Sequence, residues 1–323
     1  MSTGSVVVLG AANVDLVLRV DAIPVPGETV SARGSEVHAG GKGLNQAVAA
    51  ARSGARTRLL AAVGDDEHGR FLRAEAEEAG VDAGEVRVVA ERTGSAFVVV
   101  DSRGENSIVI DGAANSMLRG VTELERRMIA GADVVALQRE CPAGSAFEAA
   151  EAAQAAGRIV ILNAAPAQGL PPELLALVDV LIINEGEAAT ILRDLGLVDA
   201  GGNVDDQVRA LAERVPAVVV TRGAAGLVLG RGDQVLAVSA HQVDVVDTTG
   251  AGDTFCGALA AEIARGSTLE EASRYASAAA ALSVGRRGAV TSIPTRSQVE
   301  ELLAQPWRGE PSRPPPCAVA PQE

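Results

Sequence analysis

Aromatic residues are scarce in this chain: its 323 residues include four Phe, one Tyr and one Trp. Without aromatic platforms it cannot stack successive bases, which argues against a single-strand nucleic-acid binder. Lysine is nearly absent. Lys42 is the only one among 28 basic residues, and 42 acidic residues outweigh them for a net charge of −14. A chain this acidic offers no basic face to neutralise duplex phosphates and release counterions, so no nucleic-acid partner is expected. Cysteine is rare as well. Cys141, Cys256 and Cys317 lie far apart with no CxxC spacing, which gives neither a disulfide framework nor a zinc pattern and suits a reducing compartment. No run of about 20 apolar residues could span a bilayer, and no basic segment leads an apolar one at the N-terminus. The expectation is a cytoplasmic protein with no membrane partner.

The chain is instead rich in aliphatic residues. Hydrophobic residues make up 47% of it, chiefly Ala, Val and Leu, and its length suits one large domain with a small appendage. Short apolar runs at 6–9, 59–63, 134–137, 159–162, 180–183 and 218–221 alternate with amphipathic or Ala-rich stretches. Strands that are apolar throughout, rather than at every second residue, are buried on both faces. The expected fold class is therefore α/β, a doubly wound, mainly parallel sheet flanked by helices. Two segments break the alternation. One, from 14 to about 38, carries Pro24, Pro26 and Gly27 among short β-prone pieces; the other, 95–111, reads as a hairpin with strands 97–101 and 107–111 around the turn 102–106. Together they are expected to form a small β-sheet lid over the site. A short helix near 297–304 closes a domain of residues 1–305, and the tail 306–323, with six prolines, is expected to be disordered.

Chemistry concentrates in the run Asp247-Thr248-Thr249-Gly250-Ala251-Gly252-Asp253-Thr254-Phe255. Gly250, Ala251 and Gly252 carry almost no side chain, so their N–H groups can converge where the positive end of a following helix adds its field. Such a point attracts a polyphosphate, and Asp253 stands where it could take a proton from an attacking hydroxyl. The same residues would also make an ordinary capped helix start.

Other runs sit where ligands bind. Gly10-Ala11-Ala12-Asn13-Val14-Asp15 follows the first strand but lacks the glycines of a dinucleotide fingerprint, and an acidic side chain there would repel a pyrophosphate. Asn13 and Asp15 suit the hydroxyls of a polyol, or equally an Asx turn. Gly40-Gly41-Lys42-Gly43-Leu44-Asn45-Gln46 leads into a helix expected over 47–53; its glycines permit close backbone approach to a ligand, with Lys42 and Asn45 directed at it. It is not a phosphate-binding Walker loop, since Glu36 and Gly43 occupy positions that would need Gly and Ser or Thr. Asn184-Glu185-Gly186-Glu187 follows another strand, where Glu187 could hold water around magnesium or simply start a helix. Thr221-Arg222-Gly223-Ala224-Ala225-Gly226 could pass along a nucleotide or merely turn.

In order and type, these runs resemble the ribokinase-like sugar kinases, also called the phosphofructokinase B type. The similarity runs from about Val6 to Pro294 and is most specific in the Gly40–Ala50 and Asp247–Phe255 runs. Pro26-Gly27-Glu28-Thr29-Val30, Asn163-Ala164-Ala165-Pro166-Ala167 and Asn184-Glu185-Gly186-Glu187-Ala188 also resemble family segments. The resemblance implies a magnesium-dependent kinase that phosphorylates a pentose with ATP, D-ribose to D-ribose 5-phosphate first. The same fold could instead take 2-deoxyribose, fructose, a keto-deoxy sugar acid or a nucleoside, and a non-catalytic sugar or nucleotide sensor is the rival of another class. The resemblance makes Asp253 the base and Gly250, Ala251 and Gly252 the anion hole. It assigns sugar binding to Asn13, Asp15, Gly41, Lys42, Asn45 and Glu140, and ATP binding to Asn184, Thr221, Gly223, Gly226, Gly252 and Ser277. It further implies magnesium near Glu187, potassium near Asp247, Thr249, Ser283, Arg286, Gly288 and Ser292, several by carbonyl, and a homodimer joined through the lid. Arg139 departs from the family pattern and is expected to alter the rim of the sugar pocket.

Overall fold

In the computed structural model, which describes residues 3–197 and 203–305, nine strands form one sheet. Their order is Gln234–Val238, Leu227–Arg231, Ala217–Thr221, Val180–Asn184, Ile159–Asn163, Val134–Leu137, Ser5–Leu9, Arg56–Leu60 and Val81–Asp82. All neighbours are parallel except along Ala217–Thr221, Leu227–Arg231 and Gln234–Val238, which form an antiparallel edge. The fold is the expected doubly wound α/β sheet. The proline-rich tail lies outside the described residues.

Helices on both faces explain the continuous apolar runs. Val6 and Val8 enter a core shared with the helices Lys42–Arg52, Ala251–Ala264 and Leu269–Val284. Val7 and Leu9 point the other way, into a core shared with Ala143–Ala155, Glu185–Asp194 and Val204–Ala212. From Ser5–Leu9 the sheet grows outward on one side through Arg56–Leu60 and on the other through Val134–Leu137. The winding therefore reverses between Ser5–Leu9 and Val134–Leu137, whose carboxyl ends open the crevice where such sheets bind ligands.

The run 59–63, expected to be one strand, is two. Arg56–Leu60 pairs with Ser5–Leu9, whereas Ala62–Gly64 leaves the main sheet to pair with Arg87–Val89. Both halves are buried, so the sequence pattern carries no mark of the change of partner.

The lid is a four-stranded sheet in the order Gly34–Gly40, Asn13–Arg19, Gly94–Val100, Asn106–Asp111. Register puts Asp15, His38, Ala96 and Ile110 on one face and Leu16, Val37, Phe97 and Val109 on the other. The first face lines a cavity; on the second, Val37, Phe97 and Val109 stand exposed.

Candidate active site

Two cavities meet at the start of the helix Ala251–Ala264. The larger, of about 740 Å³, lies between the lid and the carboxyl ends of the strands and is lined by Asn13, Asp15, Gly41, Lys42, Asn45, Glu140 and Asp253. All the expected sugar-binding residues converge there. The smaller, of about 280 Å³, is lined by Thr221, Gly223, Gly226, Gly252 and Ser277, and walled by Val243, Phe255, Ala280, Ala281 and Val284. Asp253 faces one cavity and Gly252 the other.

The backbone accounts for this junction. Gly250 caps the helix in the left-handed region at φ 74°, a conformation that costs an L-residue about 1–2 kcal/mol. The N–H of Ala251 donates to the carbonyl of Thr248 at 3.2 Å. That N–H closes the turn instead of joining an anion hole, while the N–H groups of Gly250, Gly252 and Asp253 have no acceptor among the described residues. Asp253 lies in the first turn, buried, and both its oxygens are held. Asn45 Nδ2 donates to Oδ2 at 2.9 Å and Gln46 Nε2 donates to Oδ1 at 3.1 Å.

The helix Lys42–Arg52 supplies both amides. It begins at Lys42, five residues before the expected start, because Gly43 lies within its first turn despite its low helix propensity. A Cβ at Gly43 would stand 2.5 Å from the Gly10 carbonyl carbon. The expectation that Gly43 lets a ligand approach is therefore corrected: the close approach is to the first strand's exit, and of the three glycines only Gly41 lines the cavity.

Charge in the larger cavity is predominantly acidic. The Asp15 carboxyl is pushed up to about 7 by burial first, with Glu140 and Asp253 adding to the effect and His38 opposing it. Burial also raises Glu140, although Lys42 works against it and the Lys42 N–H donates to its Oε2 at 2.9 Å. Asp253 and Glu140 keep Lys42 charged, raising it against the cost of its burial. The cavity thus offers one ammonium, several carboxylates and the carbonyl of Asn45, whose buried Oδ1 has no partner among the described residues. Such a set suits hydroxyl groups, which both donate and accept.

Asn184 and Glu187 line neither cavity. They form a reciprocal capping box at the helix Glu185–Asp194: Asn184 N donates to Glu187 Oε2 and Glu187 N to Asn184 Oδ1, both at 2.8 Å. The carboxyl of Glu187, raised by burial, is within electrostatic reach of Lys42 and Asp253. Asn184 stands beside Thr221 in the sheet, at the end of the smaller cavity's first strand.

The six residues expected around potassium divide. Asp247, Thr249 and Gly288 line the larger cavity, and Ser283, Arg286 and Ser292 do not. Asp247 accepts from Thr249 N and Oγ1 through one oxygen and from Gly288 N through the other, tying the two loops together. Burial pushes its carboxyl up, and these hydrogen bonds outweigh burial to hold it below the usual range. Ser283 closes a helix: its carbonyl accepts from Arg286 N and its hydroxyl donates to Ala280 O.

Arg139 does not shape the rim. Its guanidinium donates to the carbonyls of Pro166, Ala167, Gln168 and Gly169, away from the cavity, and so fastens the loop after Ile159–Asn163. A long cation beside a loop of unpaired carbonyls finds better partners there than in a cavity that already holds Lys42.

Several site residues carry no sign of their partners in the sequence, even where, as at Gln46 and Asn163, they stand in the runs singled out. Gln46, Gln138 and Asn163 form a buried amide chain behind Asp253. Asn115 donates to Asn13 Oδ1 at 2.7 Å and accepts from Ala12 N, fixing the hinge where the lid begins. Arg19, Glu36 and His38 form a linked row on the lid's inner face. The walls of the smaller cavity were more accessible to inference, since 277, 280, 281 and 284 share one helical face.

Known proteins share the sequence and the architecture. The family described as pfkB family carbohydrate kinase matches residues 3–296. A ribokinase of Haemophilus influenzae is 38% identical over 298 residues, 92% of this chain and 97% of the relative. The crystal structure of ribokinase from Thermotoga maritima matches with a TM-score of 0.87 at 34% identity, covering 93% of this chain and 99% of the other. Ribokinase of Arabidopsis thaliana, solved in complex with ribose and ATP, matches with a TM-score of 0.85 at 34% identity over 94% of this chain and all of the other.

Proposed function

The chain belongs to the pfkB family of carbohydrate kinases, and we propose that it transfers the γ-phosphoryl group of ATP to the primary hydroxyl of D-ribose, giving D-ribose 5-phosphate and ADP. One observation carries this reading: the N-terminal turn of Ala251–Ala264 stands between the two cavities, with Asp253 in the polar one and Gly252 in the apolar-walled one. A sugar hydroxyl in the first and a triphosphate in the second would meet at that turn.

Ribose in the larger cavity is held by Asn13, Asp15, Lys42, Asn45 and Glu140, which orient its primary hydroxyl toward Asp253. Asp253 accepts the hydroxyl proton as that oxygen bonds to the γ-phosphorus, and the bond from phosphorus to the β-bridging oxygen breaks to release ADP. The helix N-terminus and the N–H groups of Gly250, Gly252 and Asp253 face the charge that builds on the phosphoryl oxygens, and Lys42 adds a cation nearby. The walls of Val243, Phe255 and Ala281 suit the base of the nucleotide.

Glu187 fits a hydrated magnesium ion, since among the described residues Lys42 is the one cation acting on its raised carboxyl; bound with ATP, the ion would neutralise phosphate charge. Asp247, Thr249 and Gly288 fit a potassium ion that would stiffen the loop before Gly250. The exposed apolar face of Leu18, Val37, Phe97 and Val109 supports a homodimer joined lid to lid. No helix among the described residues is long and apolar enough to cross a membrane, and the use of ATP supports a reaction in the cytoplasm.

ADP release with magnesium and potassium, comparing D-ribose, D-ribose 1-phosphate, 2-deoxyribose, fructose and adenosine, tests the acceptor. The highest kcat/KM is expected for ribose. A higher value for any other acceptor moves the specificity, and no turnover with any of them overturns the kinase reading.

A further inference from the structure

Behind the carboxylate of Asp253 runs a chain of three side-chain amides, none of which lines either cavity. Gln46, on Lys42–Arg52, uses its Nε2 twice, toward Asp253 Oδ1 at 3.1 Å and Asn163 Oδ1 at 3.2 Å. Its Oε1 accepts from Gln138 Nε2 at 2.7 Å, just past the central strand Val134–Leu137. Asn163, at the end of the next strand, gives its own Nδ2 to the carbonyl of Ile182 at 3.2 Å. Gln46 and Gln138 are 1% and 2% exposed.

The direction of this chain is forced from its two ends. Asn163 spends its donor on Ile182, so it presents oxygen to Gln46; an ionised Asp253 presents only oxygen. Gln46 must therefore turn its NH₂ toward both, which leaves its Oε1 facing the strand and in need of a donor. Gln138 is that donor. Reversing Gln46 would set its oxygen against two others at hydrogen-bond distance in a site closed to water.

We propose that Gln46, oriented by Gln138 and Asn163, is a positioning residue for phosphoryl transfer: it holds the rotamer of Asp253 so that the carboxylate stays within hydrogen-bond reach of the sugar hydroxyl's proton while that oxygen faces phosphorus. Asn45 holds the other oxygen but also faces the sugar, so its loss disturbs binding as well as chemistry. Gln46 and Gln138 line neither cavity, so their loss acts on turnover alone. This inference rests on the reading of Asp253 as the base.

The test is a set of full-length variants, Gln46→Met, Gln138→Met, their double mutant, Asp253→Asn, and Gln46→Met in the Asp253→Asn background. Each is followed by kcat, ribose KM, ribose affinity by calorimetry and a thermal melt. Gln46→Met is expected to lower kcat about 10²-fold, the scale of a 1 Å misplacement, with ribose KM and affinity within about twofold of the parent. Gln138→Met is expected to lose roughly 10-fold by the same misplacement, and the double mutant to fall no further than Gln46→Met, because Gln138 acts only through Gln46. In the Asp253→Asn background, Gln46→Met should change nothing more. Additive losses, a loss confined to KM, or a parental kcat in Gln46→Met overturns the proposal even where Asp253→Asn is inactive. A near-parental kcat in Asp253→Asn instead removes the base reading itself. Should Gln46→Met fail to fold, Gln138→Met and its pairing with Asp253→Asn carry the same comparison.

Discussion

Asp15 is held against the folded protein's interest, and replacing it should separate stability from function. Its carboxyl is displaced from 3.8 to about 7 by burial, then by Glu140 and Asp253, while His38 pulls it back. Lys42, the ammonium in the cavity, is engaged chiefly by Asp253 and Glu140. Because the native state binds the proton more tightly than the unfolded chain, stability contributed here is present below about pH 4 and falls as pH rises toward 7. A displacement of about three units at about 1.4 kcal/mol each sets a ceiling near 4 kcal/mol, shared in part with Glu140, which is also raised. Asp15→Asn keeps the shape and removes the charge. In the ligand-free protein it should raise the free energy of unfolding by a few kcal/mol at pH 8 and leave it unchanged near pH 4, read by urea melts at both values. Ribose affinity should move the opposite way. A charged acceptor is worth roughly 1 kcal/mol more than a neutral one for each sugar hydroxyl it meets, so the parent should bind ribose about fivefold or more tightly at pH 8 than at pH 6, and the variant should lose this dependence. An Asp15→Asn protein no more stable than the parent at pH 8, or a parent whose ribose affinity is flat with pH, would refute the reasoning.

Three further outcomes follow from the geometry. Gly250→Ala combines a φ of 74° with a Cβ 3.1 Å from Ala289, so it should cost about 1–2 kcal/mol in a thermal melt and lower kcat more than ribose KM, with parental kinetics counting against the turn. Arg139→Ala removes donors to four carbonyls but touches no cavity. It should lower stability by roughly 2 kcal/mol, with ribose KM unchanged; a changed KM would restore Arg139 to the pocket rim. Phe97, 44% exposed on the lid's outer face, should be part of the proposed subunit contact, so the parent is expected to elute as a dimer and Phe97→Glu as a monomer in light-scattering chromatography.

The fold was legible where burial alone decides it. Strands at 134–137, 159–162, 180–183 and 218–221 fall within about a residue of their observed bounds because residues covered on both faces must all be apolar. The same uniformity hid the break at Ala61, where the chain changes sheets without changing burial. The hairpin expected at 97–101 and 107–111 begins earlier, at Gly94, since Gly and Ser at its start give no strand signal. The residues of the larger cavity expected to bind sugar lay in short runs and could be named. The amides behind Asp253 could not, because Gln46 meets Gln138 across 92 positions and Asp253 across 207, and a buried Gln resembles any other in sequence. Arg139 was misjudged for a related reason: its partners are carbonyls, which no sequence displays.

The central claim is that Asp253 takes the proton from a sugar held beside it, and the comparison of kcat with ribose affinity in Asp253→Asn tests it most directly. The amide keeps the size and shape of the side chain, gives up one of its two accepted hydrogen bonds, and cannot accept the proton. Turnover should fall by about 10²–10⁴-fold while calorimetry still detects ribose binding and the melt stays near that of the parent. A variant that binds ribose and keeps near-parental kcat would contradict the account.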